Sequence, residues 1–217
     1  MPRVDASQAV LDAAERLFAQ HGIATVSDRR IAEAAGNSNH SAVRYYFGGR
    51  QGLLEALIER HHREVQPVRR EMQAEAHSLI DDLRAMVLPQ MKVLERLGAP
   101  SWRARFLASA YADPQGKEAV RRLGHDPVTG GTVFDAVGAR LQHLAPEIVE
   151  SRARLMGQML VTACAELEER EEAGGDAQWD LAGWFLCDAI AGMLQAPVSQ
   201  PPLPRVEALD APRSQTQ

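Results

Sequence analysis

The stretch from Ile31 to Leu54, IAEAAGNSNHSAVRYYFGGRQGLL, constrains this chain more than any other part of it. It spells a short helix, a glycine turn and a second short helix that ends in aromatic residues. That is the outline of a helix-turn-helix, a unit whose second helix lies in the major groove of DNA. Ile31, Ala32 and Ala35 hold the first helix to a core, and Val43 and Phe47, spaced i and i+4, do the same for the second. His40, Ser41, Arg44 and Tyr45 are left facing outward, as hydrogen-bonding and cationic groups suited to phosphates and base edges.

The flanks agree. Ser27 can accept from the free N–H groups of the first helix, and Asp28 suits its positive dipole end, with Arg29 and Arg30 projecting from the first turn. Upstream, Val10, Ala14, Leu17 and Phe18 make the apolar stripe of a helix that stops before Gly22, and downstream Leu53, Leu54, Leu57 and Ile58 repeat it. Four helical segments can thus share one small core.

In LDAAERLFAQHG, RRIAEAAG and AVRYYFGGRQGLLEALIE, spread in order over roughly residues 9 to 60, the sequence resembles the TetR family of bacterial transcriptional regulators. The resemblance implies an all-α fold: an N-terminal three-helix DNA-binding domain with the helix-turn-helix, and a larger C-terminal helical domain for ligand binding and dimerisation. It also implies a homodimer on a palindromic double-stranded operator, released by a small-molecule effector. By position, Arg29 matches an early residue of the second helix that can reach a base. His40, Ser41 and Ala42 match the base-facing start of the recognition helix, Arg44, Tyr45 and Tyr46 match positions that mostly touch phosphate, and Ser27 and Asn39 complete the expected DNA-binding set. Arg50 stands where the family usually has a lysine, placed to pair with a phosphate. Two departures from the family pattern matter. The chain is one residue longer between Gly36 and Phe47, so the assignments at 39 to 41 hold to within one position, and Arg44 replaces a frequent tyrosine.

Charge is distributed unevenly. The net charge is -5, yet residues 1 to 64 hold eight Arg against eight Asp or Glu, and the remaining sixteen basic and twenty-one acidic residues carry the whole deficit. Four Arg against Asp28 and Glu33 lie between 27 and 50, so positive charge gathers where DNA would lie, and binding should depend strongly on salt.

The expected domains are 1–64 for DNA binding, 65–196 for ligand binding and dimerisation, and a disordered tail at 197–217 rich in proline and polar residues. After Pro67, helical segments are expected near 68–97, 101–112, 115–123, 128–143, 146–172 and 177–195. The breaks fall at Gly98, Pro100, Asp113 with Pro114, Asp126 with Pro127, Pro146, and Gly174 with Gly175. Pro89 should kink its helix. The last two segments carry apolar stripes that read as an intersubunit four-helix bundle, with Leu160, Leu167, Leu181, Trp184, Phe185 and Met193 at the dimer interface. Met91, Trp102, Phe106, Tyr111, Phe134, Met156 and Met159 are the candidate lining of a pocket for a hydrophobic ligand.

No P-loop, GxGxxG turn or GxSxG elbow occurs, so an enzyme is not expected and no cofactor is implied. His61, His62, Glu64 and His77 do not make a metal site, because adjacent histidines point about 100° apart on a helix. Glu168, Glu169, Glu171 and Glu172 read as a solvated helix end. Cys164 and Cys187, far apart and outside any CxxC, read as reduced buried thiols. With 217 residues, 45% hydrophobic content, no apolar run of membrane-spanning length and no signal peptide, a cytoplasmic protein with no membrane partner is expected. The alternative from another class is a helical dimeric interaction or scaffold protein with a vestigial DNA-binding head.

Overall fold

The computed structural model describes residues 6–37, 39–124 and 131–198, and these form ten α-helices with no strand among them. The helices are α1 (Ala6–His21), α2 (Asp28–Ala34), α3 (Ala42–Phe47), α4 (Arg50–Ala74), α5 (Leu79–Leu97), α6 (Arg103–Ala112), α7 (Pro114–Gly124), α8 (Gly131–Arg140), α9 (Pro146–Glu172) and α10 (Trp179–Gln195). Asp126 and Pro127, and the expected tail beyond Val198, lie outside the described residues.

The N-terminal head forms as the stripes require. Val10, Ala14, Leu17 and Phe18 of α1, Ile31 and Ala32 of α2, Val43 of α3, and Leu53, Leu54, Leu57 and Ile58 of α4 are all buried in one core. The sharp corner between α3 and α4 depends on Gly48 and Gly49, whose φ angles of 73° and 126° lie where a Cβ is strained.

Two sequence boundaries move. α4 runs straight through Pro67 to Ala74, so the expected 68–97 segment is the end of one helix and the whole of another, and the 64/65 boundary falls inside α4. Pro67 lies on the exposed side, where the carbonyl it frees can meet water, so the helix survives it. The real break comes at Ser78. Its hydroxyl accepts from the Asp81 N–H while the Asp81 carboxylate accepts from the Ser78 N–H, a reciprocal cap that starts α5. α5 in turn contains Pro89 without interruption and is buried on nearly every side, as a helix at the centre of a bundle must be.

The larger core joins α5, α9 and α10 with Val137 and Leu141 around α8. Cys164 and Cys187 are buried free thiols there, and burial pushes Cys164 up to about 12. α6 belongs to both halves. Its Ala104 joins the larger core, while Phe106 and Ala110 join the head core, with the Phe106 ring stacked on Phe18 at 6.1 Å. Where α6 crosses α9, Tyr111 lies so close to Gly157 that a Cβ there would stand 2.3 Å from its hydroxyl. Among the described residues, no helix is long and apolar enough to cross a membrane.

Candidate nucleic-acid interface

The reading surface is the part of the head that its core leaves uncovered. Ser27 accepts from the Arg30 N–H at 3.2 Å and caps α2, so its side chain is engaged in starting the helix. Arg29 projects with a 71% exposed side chain and pairs with Glu33 at 2.8 Å, and this bond holds the Glu33 carboxyl below its ordinary range. Arg30, expected to project beside Arg29, is also exposed and donates to the His21 ring at 2.8 Å.

Asn39 organises the approach to α3. The Asn37 side chain accepts from the Asn39 N–H at 2.9 Å, and the Asn39 side chain accepts from the Ser41 N–H at 3.0 Å. These two side-chain bonds lead the chain into α3. His40 and Ser41 are exposed at the mouth of α3, and Ser41 makes no side-chain cap bond. Ala42 is fully buried, which corrects its expected base-facing position: the first residue of α3 faces the core beside Val43.

Arg44, Tyr45 and Tyr46 form the outer face. Tyr45 is 75% exposed and meets Tyr46 edge-on at 4.8 Å between ring centroids. Arg44 is exposed, and no carboxylate among the described residues pairs with it. Arg50 differs from its expected role. Its guanidinium pairs with Asp28 at 3.2 Å, donates to the Val26 carbonyl and lies over the Phe18 ring at 5.0 Å. It ties the start of α4 to the N-terminus of α2.

The expected pocket lining does not assemble. Phe106 is in the head core, Trp102 stacks under the Arg105 guanidinium at 4.4 Å, Tyr111 fills the α6–α9 crossing, and Met91 is buried beneath α10. Phe134 and Met156 share a small apolar recess of about 80 Å³ with Val137, Gly138, Leu141, Val149, Ala153 and Leu194, while Met159 is half-buried against the core. The expected dimer residues divide as well. Leu160 and Leu167 are 6% exposed and fill the monomer, and Met193 is half-buried, whereas Leu181, Trp184 and Phe185 lie open on α10 with Leu155 of α9 open too.

Glu168 is a correction to the solvated-end reading. It is 2% exposed and accepts from the Ala104 and Arg105 N–H groups at 3.0 Å each and from the Arg105 Nε at 3.1 Å, so α9 caps α6. From the same end of α6, Arg103 reaches Glu15 of α1 at 2.5 Å and Glu64 of α4 at 3.4 Å. α6 is therefore bonded on one side to α9 and on the other to α1 and α4, and α7 adds a second link where Arg122 pairs with Glu55 at 3.1 Å. Among the described residues no three His, Cys, Asp or Glu gather as a metal set.

Residues 10–57 match the family model described as bacterial regulatory proteins, tetR family. Two Mycobacterium tuberculosis proteins, from strains CDC 1551 and H37Rv, are described as uncharacterized HTH-type transcriptional regulators; each is 29% identical over 169 residues, 77% of this chain and 78% of theirs. The fold resembles that of a TetR-family transcriptional regulator from Rhodococcus sp., with TM-score 0.54, 19% identity and coverage of 88% of this chain and 99% of that one. It also resembles Salmonella enterica GusR, with TM-score 0.52, 16% identity and coverage of 90% and 98%.

Proposed function

We propose that this chain, whose residues 10–57 match the tetR family model of bacterial regulatory proteins, is a DNA-binding transcriptional regulator that works as a homodimeric repressor, released from a palindromic operator by a small hydrophobic ligand. The observation that carries the reading is the outer face of the helix-turn-helix, where exposed Arg44, paired with no carboxylate among the described residues, lies with Tyr45, Tyr46, His40 and Ser41. A guanidinium in that position is free for phosphate, and the short polar groups at the mouth of α3 suit base edges.

Two copies are needed, because a single head offers few cations and half-sites lie roughly 34 Å apart. The open Leu181, Trp184 and Phe185 of α10 supply an apolar face for that pairing. A ligand in the larger domain acts by preferring one of two conformations, and α6, bonded to both α9 and α1, is the element that passes the preference to the heads. We place the protein with its operator in the cytoplasm.

The test is fluorescence anisotropy on DNA fragments selected by the purified protein, comparing wild type, Arg44→Ala and Arg63→Ala. Arg63 is an exposed arginine of α4 paired with Glu59, away from the reading face. Arg44→Ala should weaken binding about tenfold and lower the log–log salt slope by about one, while Arg63→Ala does neither. If Arg44→Ala leaves both unchanged, the assignment of this face is wrong.

A further inference from the structure

The face that α4 turns inward starts as Leu53, Leu54, Leu57 and Ile58 and continues as His61, Val65, Gln66 and Arg69, all buried. A helix face buried against a neighbour is ordinarily apolar, yet three of these four continuing residues are polar. Arg69 is the extreme case. It is 3% exposed, its Nη2 donates to the Met86 carbonyl at 3.3 Å, its Nε has no acceptor, and no carboxylate among the described residues pairs with it. Burial alone pulls it down to about 10.

Other donors converge on the same seam between α4 and α5. Gln90 of α5 donates to the same Met86 carbonyl at 3.0 Å and lies 3.4 Å from the His61 Nε2. Gln66 Nε2 and the Nδ1 atoms of His61 and His62 are buried without partners. Both imidazoles are held neutral, first by burial and then by neighbouring positive charge, His62 at about 4. A guanidinium removed from water and left without counter-charge, among unsatisfied polar atoms, is costly unless something supplies the charge.

We infer that this seam is the recognition point of the effector, with Arg69 as its cation and Gln66, Gln90, His61 and His62 around it, and that the effector is an organic acid whose carboxylate meets Arg69. The inference rests on the ligand-released repressor of the preceding reading. A carboxylate fits better than a phosphate. Arg69 is the one cation of the seam left unpaired among the described residues, since nearby Arg103 is already held by Glu15 and Glu64.

The test uses the full chain with benzoate, phenylacetate and octanoate, each beside its uncharged amide. At least one acid should raise Tm by about 5 °C at saturation and release the protein from DNA, while its amide stays within about 1 °C of no change. Arg69→Met should lose the acid response yet show, without acid, a Tm at or above that of the parent, because it removes a charge with no partner. Arg69→Lys should keep part of the response. Amides as effective as acids, no response to any of the three acids at millimolar concentration, an undiminished response in Arg69→Met, or a sharp fall in its Tm would each overturn the inference. Operator binding by the parent without acid is measured alongside, so a failed acid site is told apart from a failed regulator.

Discussion

Replacing Glu168 by alanine should loosen the joint between the larger domain and the reading head. Its carboxylate, 2% exposed, takes two backbone N–H groups at the start of α6 and the Arg105 Nε, while the residue at the N-cap of α6, Trp102, makes no side-chain cap bond. A buried donor left unsatisfied costs about 1 to 3 kcal/mol, and breaking a buried charge pair about 3 to 5 kcal/mol. These costs overlap, and Arg105 keeps Glu172 at 2.6 Å, so the net loss should be about 3 to 4 kcal/mol. For a chain of this length that is a fall in Tm of roughly 6 to 16 °C. The assay is thermal and urea unfolding by circular dichroism at fixed protomer concentration, with Glu172→Ala as control. Glu172 is about one-third exposed and, among the described residues, pairs with Arg105 alone, so its loss should cost less than about 1 kcal/mol. If Glu168→Ala unfolds within about 2 °C of wild type, the carboxylate does not cap α6 in solution.

Arg50→Met should lower the stability of the head by about 1 to 2 kcal/mol while leaving the salt slope of DNA binding unchanged, because the guanidinium serves Asp28 and Val26; a slope smaller by one at unchanged Tm would return Arg50 to a phosphate. His62 titrates at about 4 in the folded chain against an ordinary 6.5, so the unfolded state binds the extra proton between those values. Stability is then greatest above pH 6.5 and falls as the pH drops toward 4, and His62→Gln should flatten that fall by up to about 3 kcal/mol, read from urea midpoints across the pH range. Phe185→Asp, at a side chain 68% exposed, should shift the protein toward monomer in sedimentation and weaken operator binding while leaving the fold intact; a dimer that persists would move the interface elsewhere.

The elements of the head were legible because their signals are local. Stripes at i, i+3 and i+4, the Ser27 cap and the paired glycines each report on neighbours within a turn or two of chain, and those neighbours meet in any packing. The Ser78 and Asp81 capping box is equally local and marks the α4 to α5 break more faithfully than Pro67 does.

What sequence alone determined is the all-helical class, the helix-turn-helix and the outward set around Arg44, since periodicity and turn chemistry fix which side of a short helix is apolar. Tertiary structure decided the partners of the long side chains. Arg50 and Glu168 carry the charge of surface residues, yet each meets partners many residues away, Asp28 and Val26 for the one and the start of α6 for the other. Phe106 reads as a pocket aromatic until α6 is laid against α1, and Arg69 loses its water only where α4 lies against α5. Which groups lose their water depends on how helices distant in sequence cross, and no window along the chain contains both sides of a crossing.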